Sequence, residues 1–229
     1  GGPIRADDCD GFDLYLVESK INEDEFSAIG KPWMRAFGIN TKIFKPIHTE
    51  KIYDGIHHAA SASWKRQWLM AEALKEKALV IGREQPEDMH PFNESRRLGA
   101  VVMSQAEYEE LPKYICSAHT LCQTSEYWGG GQRATLEAMA CGIPVVVMSD
   151  SPKNREYVEE SGFGIVCDPN PSQIKEAVAK LKDNPLDPSI GINYVLSKWT
   201  EKHYAEAILK AIDNVCKHET HRGGEQKAD

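Results

Sequence analysis

Short apolar runs alternate with helical segments through the middle of the chain, and this alternation limits the fold more than any other feature. Ala78 to Ile81 (ALVI), Leu98 to Met103 (LGAVVM), His119 to Gln123 (HTLCQ), Ile143 to Met148 (IPVVVM) and Gly164 to Cys167 (GIVC) read as strands. Between them lie helical stretches: Trp64 to Lys75, Gln105 to Ser117, Gln132 to Ala140, Pro152 to Glu159 and Ser172 to Leu181. Strands that are apolar on both faces belong in a parallel sheet covered by helices on both sides. The expected fold is α/β, a Rossmann-like doubly wound parallel sheet of about six strands, with ligands at the strands' carboxyl ends.

Local signals refine the boundaries. Lys51 to Ile56 supplies a further strand, and Gly142 ends the helix before it. Trp64, Trp68, Ala71 and a leucine form the candidate buried stripe of their helix. Pro86 and Pro91 make Arg83 to Arg97 a loop, and Pro112 breaks or restarts the helix around it. Ser172 is the expected N-cap of its helix. Ahead of this unit, Phe12 to Val17 and Pro32 to Phe37 read as short strands around a helical turn at Ile21 to Ile29. Two helices close the chain, Pro188 to Ser197 and Thr200 to Lys217. The division expected is an N-terminal appendage over 1–45, a main domain over 46–217 and a disordered tail over 218–229.

Composition removes several function classes. With 27 Lys and Arg against 35 Asp and Glu, the net charge of −8 disfavours a general nucleic-acid or anionic-membrane binder. No run approaches the length of a membrane span, no secretory leader opens the chain, and a cytoplasmic protein is expected. Cys9, Cys116, Cys122, Cys141, Cys167 and Cys216 form no CxxC pair, and they read as reduced thiols packed as small hydrophobes.

The chemistry concentrates in Thr124 to Pro144, TSEYWGGGQRATLEAMACGIP. A strand ends, Gly129, Gly130 and Gly131 follow, and a helix begins. Glycines let backbone approach a ligand closely, and the first amides of a helix attract an anion. The segment is either a diphosphate cradle or a turn that packs helix on strand.

The words around it carry a resemblance. LEAMACGIPVV is similar to the nucleotide-sugar-binding domain of retaining glycosyltransferases with the GT-B fold, the large family-4-like group also called glycosyltransferase group 1. GINTKIFKP (Gly38 to Pro46), the strand Ala78 to Gly82, SQAEYEELPKYICSAH (Ser104 to His119), NREYVEESGFGIVCDPNP (Asn154 to Pro171) and SKWTEKHYAEAI (Ser197 to Ile208) resemble further family segments in the same order. The resemblance implies one half of a GT-B fold, a nucleotide diphosphate sugar as donor substrate, retaining transfer, and no metal or other cofactor. It places Glu137 on the donor ribose and Lys65 beside the departing diphosphate. Gly129 to Gly131 and Arg133 are placed near the phosphates, and Arg83 in the nucleotide pocket.

The chain also departs from the family pattern. The family carries a second carboxylate eight residues before the ribose Glu, where this chain has Gly129; Glu126 is the candidate stand-in, or a solvated residue. The family's phosphate Arg is missing after Gly55, where Ile56-His57-His58 follow; the histidines read as a loop pair without a metal role. Only about forty residues precede the domain, too few for a Rossmann-like acceptor half. Three functions stay open: a glycosyltransferase donor domain, which is preferred; a non-catalytic nucleotide-sugar-binding module or partner subunit; and a sugar-nucleotide epimerase on the same fold. An acceptor-domain partner or a homodimer is the expected company.

Overall fold

The structure is a computed structural model that describes residues 11–126 and 132–224, the side chains of 132 and 217–224 excepted. It divides into two compact units, residues 39–197 and residues 1–38 with 198–229. The larger unit therefore opens at Ile39, and the chain crosses out of it after Ser197.

The larger unit is built on six parallel strands: β3 (Tyr53–His58), β4 (Ala78–Ile81), β5 (Val101–Met103), β6 (Ala118–Gln123), β7 (Val145–Met148) and β8 (Gly164–Cys167). Their order is β5-β4-β3-β6-β7-β8, so β3 sits at the centre with β4 on one side and β6 on the other. All four residues of both β4 and β7 are buried, as a sheet covered on both faces requires. Sealing a Leu, Ile or Val side chain this way is worth about 1.5–3 kcal/mol. The covering helices are α2 (Gln67–Leu74), α3 (His90–Arg97), α4 (Leu111–Cys116), α5 (Gln132–Ala140), α6 (Pro152–Ser161), α7 (Pro171–Asp183) and α8 (Pro188–Lys198).

Proline explains where the helices depart from the sequence reading. The expected loop at Arg83 to Arg97 contains α3, because Pro91 stands in its first turn, where a missing N–H costs no hydrogen bond. Ser95 Oγ closes that turn on the Pro91 carbonyl at 2.7 Å, and Phe92 is buried. Pro112 likewise begins α4 rather than breaking a longer helix. In α7, Pro171 takes the first helical position, which makes Asn170 the cap in place of Ser172. Asn170 Oδ1 accepts from the Ser172 amide at 2.9 Å.

The helix expected from Trp64 is split. A 3-10 turn over Ser63–Lys65 precedes α2, and Arg66 between them is left-handed at φ 49°. That residue shifts the phase of everything before it. Trp64 consequently leaves the stripe at 39% exposed, while Met70, Ala71, Ala73 and Leu74 enter the core. Three cysteines behave as small hydrophobes: Cys116, Cys122 and Cys141 are buried and form no disulfide, and burial pushes the Cys122 thiol up to about 12, whereas Cys167 is half-buried and Cys216 is exposed. Cys9 lies outside the described residues.

The smaller unit pairs two three-residue parallel strands, β1 (Tyr15–Val17) and β2 (Trp33–Arg35), around α1 (Lys20–Ala28). Its core is Tyr15, Val17 and Phe26, with Trp33 packed against them. The closing helix α9 (Glu201–Gly224) runs through the first part of the expected tail.

Candidate nucleotide-sugar site

The strand order reverses around β3, so the loops after β3 and β6 diverge and leave a crevice at their carboxyl ends. Beside it lies a cavity of about 290 Å³, walled by His58, Gly82, Arg83, Gln105 and Tyr108. Gly82 presses its Cα face onto the Ala59 carbonyl, where any Cβ would collide. The cavity wall at this point is backbone against backbone, which only glycine permits.

A carboxyl stands behind that wall. Glu137 projects from α5 and has no exposed surface. The Tyr108 hydroxyl donates to its Oε1 at 3.4 Å, and His58 Nε2 lies 3.6 Å from its Oε2. Among the described residues that second oxygen has no hydrogen-bond partner. Burial pushes Glu137 up to about 8, against the pull of the Arg133 charge and the Tyr108 hydrogen bond. Burial and the Lys65 charge hold His58 down at about 4, and His57 is held at about 3 by burial first. Glu137 and His58 stand within ion-pair distance, yet burial disfavours the charged form of both.

Two cations stand on the loop after β3. Lys65 is half-buried in the loop after β3, at the end of the 3-10 turn. Arg66 follows it and is fully engaged: Nε donates to the Thr124 carbonyl at 2.8 Å, and the two terminal nitrogens grip Asp150 at 2.7 and 2.8 Å. Thr124 Oγ1 donates back to the carbonyls of Lys65 and Arg66 at 2.7 and 3.0 Å. The Glu126 amide donates to the Trp64 carbonyl at 3.0 Å. The loops after β3, β6 and β7 are thus clasped together through Arg66.

These contacts place the candidates. Lys65 and Glu126 lie on two loops that hydrogen-bond to each other through Trp64 and Thr124. Arg133 is exposed on the first turn of α5, one turn before Glu137. Arg83 lines the cavity. Gly129, Gly130 and Gly131 lie outside the described residues, so the cradle does too. The histidine pair is not in a loop: both residues belong to β3, His57 fully buried, because the strand runs two residues beyond its apolar run. Sequence reasoning passed over Tyr108, Arg66 and Asp150. The glycine after ALVI was the available signal for a close wall; nothing local signalled the Arg66 to Asp150 pairing across 84 residues. Among the described residues no three His, Cys, Asp or Glu side chains cluster to hold a metal, and no helix is long and apolar enough to cross a membrane.

The architecture matches solved structures. A sucrose-phosphate synthase from Thermosynechococcus elongatus is 16% identical, with a TM-score of 0.77 over 93% of this chain and 61% of its own. HepE from Anabaena, solved in complex with UDP and glucose, is 14% identical, with a TM-score of 0.71 over 88% of this chain and 63% of its own. The C-terminal domain of a glycosyl transferase group 1 family protein (LpcC) from Francisella tularensis is 19% identical, with a TM-score of 0.57 over 72% of this chain and 100% of that domain. These likenesses establish the fold, a Rossmann-like half of the GT-B architecture. The chain spans about three fifths of the length of the first two structures. No curated protein matches it by sequence. Residues 47–195 match the family model described as glycosyl transferases group 1, and the chain belongs to that family.

Proposed function

We propose that the chain is the donor half of a retaining glycosyltransferase and binds a nucleotide diphosphate sugar. The observation that carries the reading is Glu137, a buried carboxyl with an unsatisfied oxygen beside a cavity at the carboxyl ends of the strands. A buried polar atom without a partner is costly, and a ligand hydroxyl there would repay that cost. A ribose hydroxyl donating to Glu137 would favour its ionised form and fix the nucleoside, with Arg83 in the cavity wall. The diphosphate would run toward Arg133 and Lys65. In transfer, the bond from the anomeric carbon to the diphosphate breaks while the acceptor hydroxyl oxygen bonds to the same face of that carbon, its proton passing to the departing diphosphate oxygen. Charge develops on the departing diphosphate, and the Lys65 ammonium in its fixed loop would stabilise it. No metal is assigned a role. The acceptor would be oriented by a second domain, a partner chain or a second copy, and the reaction would take place in the cytoplasm.

A specific observation favours a second reading, a binding module without transfer. Gly129 stands where the family has its second carboxylate, and Glu126, the candidate stand-in, belongs to a loop tied to Trp64.

The test is calorimetry of UDP, GDP and ADP and their glucose conjugates against the wild-type chain and Glu137→Gln. One series should bind, and Glu137→Gln should weaken it about tenfold or more, since a hydrogen bond to a charged group is worth about 1.5–3 kcal/mol. Undiminished binding by the variant defeats the ribose assignment. Product analysis by mass spectrometry with an acceptor pool then separates transfer from binding alone.

A further inference from the structure

Tyr108 lies in the segment between β5 and α4, 37% exposed, its ring edge-on to Phe44 at 5.1 Å. Its hydroxyl donates to Glu137 Oε1, and the Arg133 guanidinium acts on the phenol oxygen itself. One phenol oxygen therefore stands between the carboxyl assigned to the ribose and a cation assigned to the phosphates. A nucleoside diphosphate brings its own hydroxyl donor and, a few bonds away, its own anionic oxygens. These are the two partners that the phenol now serves.

Glu137 has no exposed surface. Tyr108 covers one oxygen and His58 stands beside the other, so a hydroxyl arriving at Oε1 meets the phenol first. The phenol is also the easiest of these groups to move. Residues 104–110 belong to no strand or helix, and the turn there is closed by one hydrogen bond, from the Glu110 amide to the Glu107 carbonyl. The bond to Glu137, at 3.4 Å, is at the long and weak end of the range. His58, by contrast, is fixed in the central strand.

We propose that Tyr108 gates the nucleotide site: its hydroxyl holds the place of a ribose hydroxyl on Glu137, and nucleotide binding displaces it. The proposal rests on Glu137 being the ribose carboxyl. It gives the opposite sign from an ordinary contact residue, because removing a placeholder helps the ligand whereas removing a contact harms it.

The experiment measures UDP, GDP and ADP binding, by calorimetry and stopped-flow, to wild type, Tyr108→Phe and Glu137→Gln. Tyr108→Phe keeps the ring and its packing on Phe44 and loses only the hydroxyl, and circular dichroism checks that the fold is kept. For the diphosphate that binds wild type, its affinity should rise about two- to tenfold, mainly through faster association. Unchanged or weaker affinity overturns the gate. If Glu137→Gln weakens binding while Tyr108→Phe does not strengthen it, the gate alone falls. If Glu137→Gln binds as wild type does, or no diphosphate binds at all, the ribose reading falls and takes the gate with it.

Discussion

Glu137 and Arg66 stand at the same edge of one sheet, and the fold treats their charges in opposite ways. Arg66 has three of its nitrogens in hydrogen bonds, two of them to a carboxylate, and its side chain remains 15% exposed. Glu137 is fully enclosed, with one long hydrogen bond and one bare oxygen. The first arrangement is complete without any ligand and holds three loops in register. The second is a standing cost, because desolvating a carboxyl without partners favours its neutral form. The difference separates a structural ion pair from a site: a group that the protein satisfies is scaffold, and a group that it leaves short of partners is waiting for chemistry.

Three changes put this contrast to the test. The largest effect is expected from Gly82→Ala, which tests whether the cavity wall beside His58 is rigid. The new methyl meets the Ala59 carbonyl on the neighbouring loop, so strand β4 or that loop must shift. Chemical denaturation should show a loss of about 2–3 kcal/mol, in the range for overpacking. A near-neutral result would mean that the wall gives way easily.

Next comes Glu137→Gln, read through pH. The folded-state value near 8 lies above the ordinary 4.5, so the native chain holds a proton that the unfolded chain has released. Wild-type stability therefore falls as pH rises from 4.5 to 8, and the glutamine removes that fall. The variant should be the more stable by a few kcal/mol at pH 8, with the gap closing toward pH 4.5. On the acid side, His57 and His58 are held below their usual 6.5, so both proteins should lose stability as pH drops from 6.5 toward 4, the variant more steeply down to pH 4.5 because Glu137 offsets part of the loss in wild type. Parallel melting curves for the two proteins between pH 5 and 8 would contradict the buried neutral carboxyl.

The smallest effect belongs to the clasp. Arg66→Ala and Asp150→Ala should each cost about 1 kcal/mol, since the pair is partly solvated, and the double variant should cost little more than either. Full additivity in that cycle would show that the two residues do not act as a unit.

Much of this was legible in the residues. The order of strands and helices followed from apolar runs separated by helical spacing, and Gln132–Ala140 and Gly164–Cys167 fall where their sequence put them. LEAMACG marked the helix that carries Glu137. Two helix starts escape the sequence reading for one reason: Pro91 and Pro171 each sit in a first turn, as Pro112 does where the helix restarts, and a proline signals an end or a start depending on the residues after it. The partners of Glu137 were less accessible. Tyr108 is 29 residues away along the chain, and its approach depends on how the segment after β5 folds back over α5. Such pairings are fixed by tertiary packing and leave no periodic trace.

The central place of β3 also governs the order in which the molecule can assemble. Gly55 pairs with Ala78 in β4 and with Thr120 in β6, so one neighbour is a single crossover through α2 away and the other lies beyond α2, β4, α3, β5 and α4. Closing the longer loop costs more chain entropy, although the penalty grows only slowly with length, and distant pairings slow folding. On a growing polypeptide, β3 and β4 can meet early, while the edge of β3 that faces β6 stays open until residue 123 has been made. The crevice lies along that edge. A chain halted before β6 would carry Lys65 and His58 but no crevice, and its bare central strand would be a ready template for pairing with another copy.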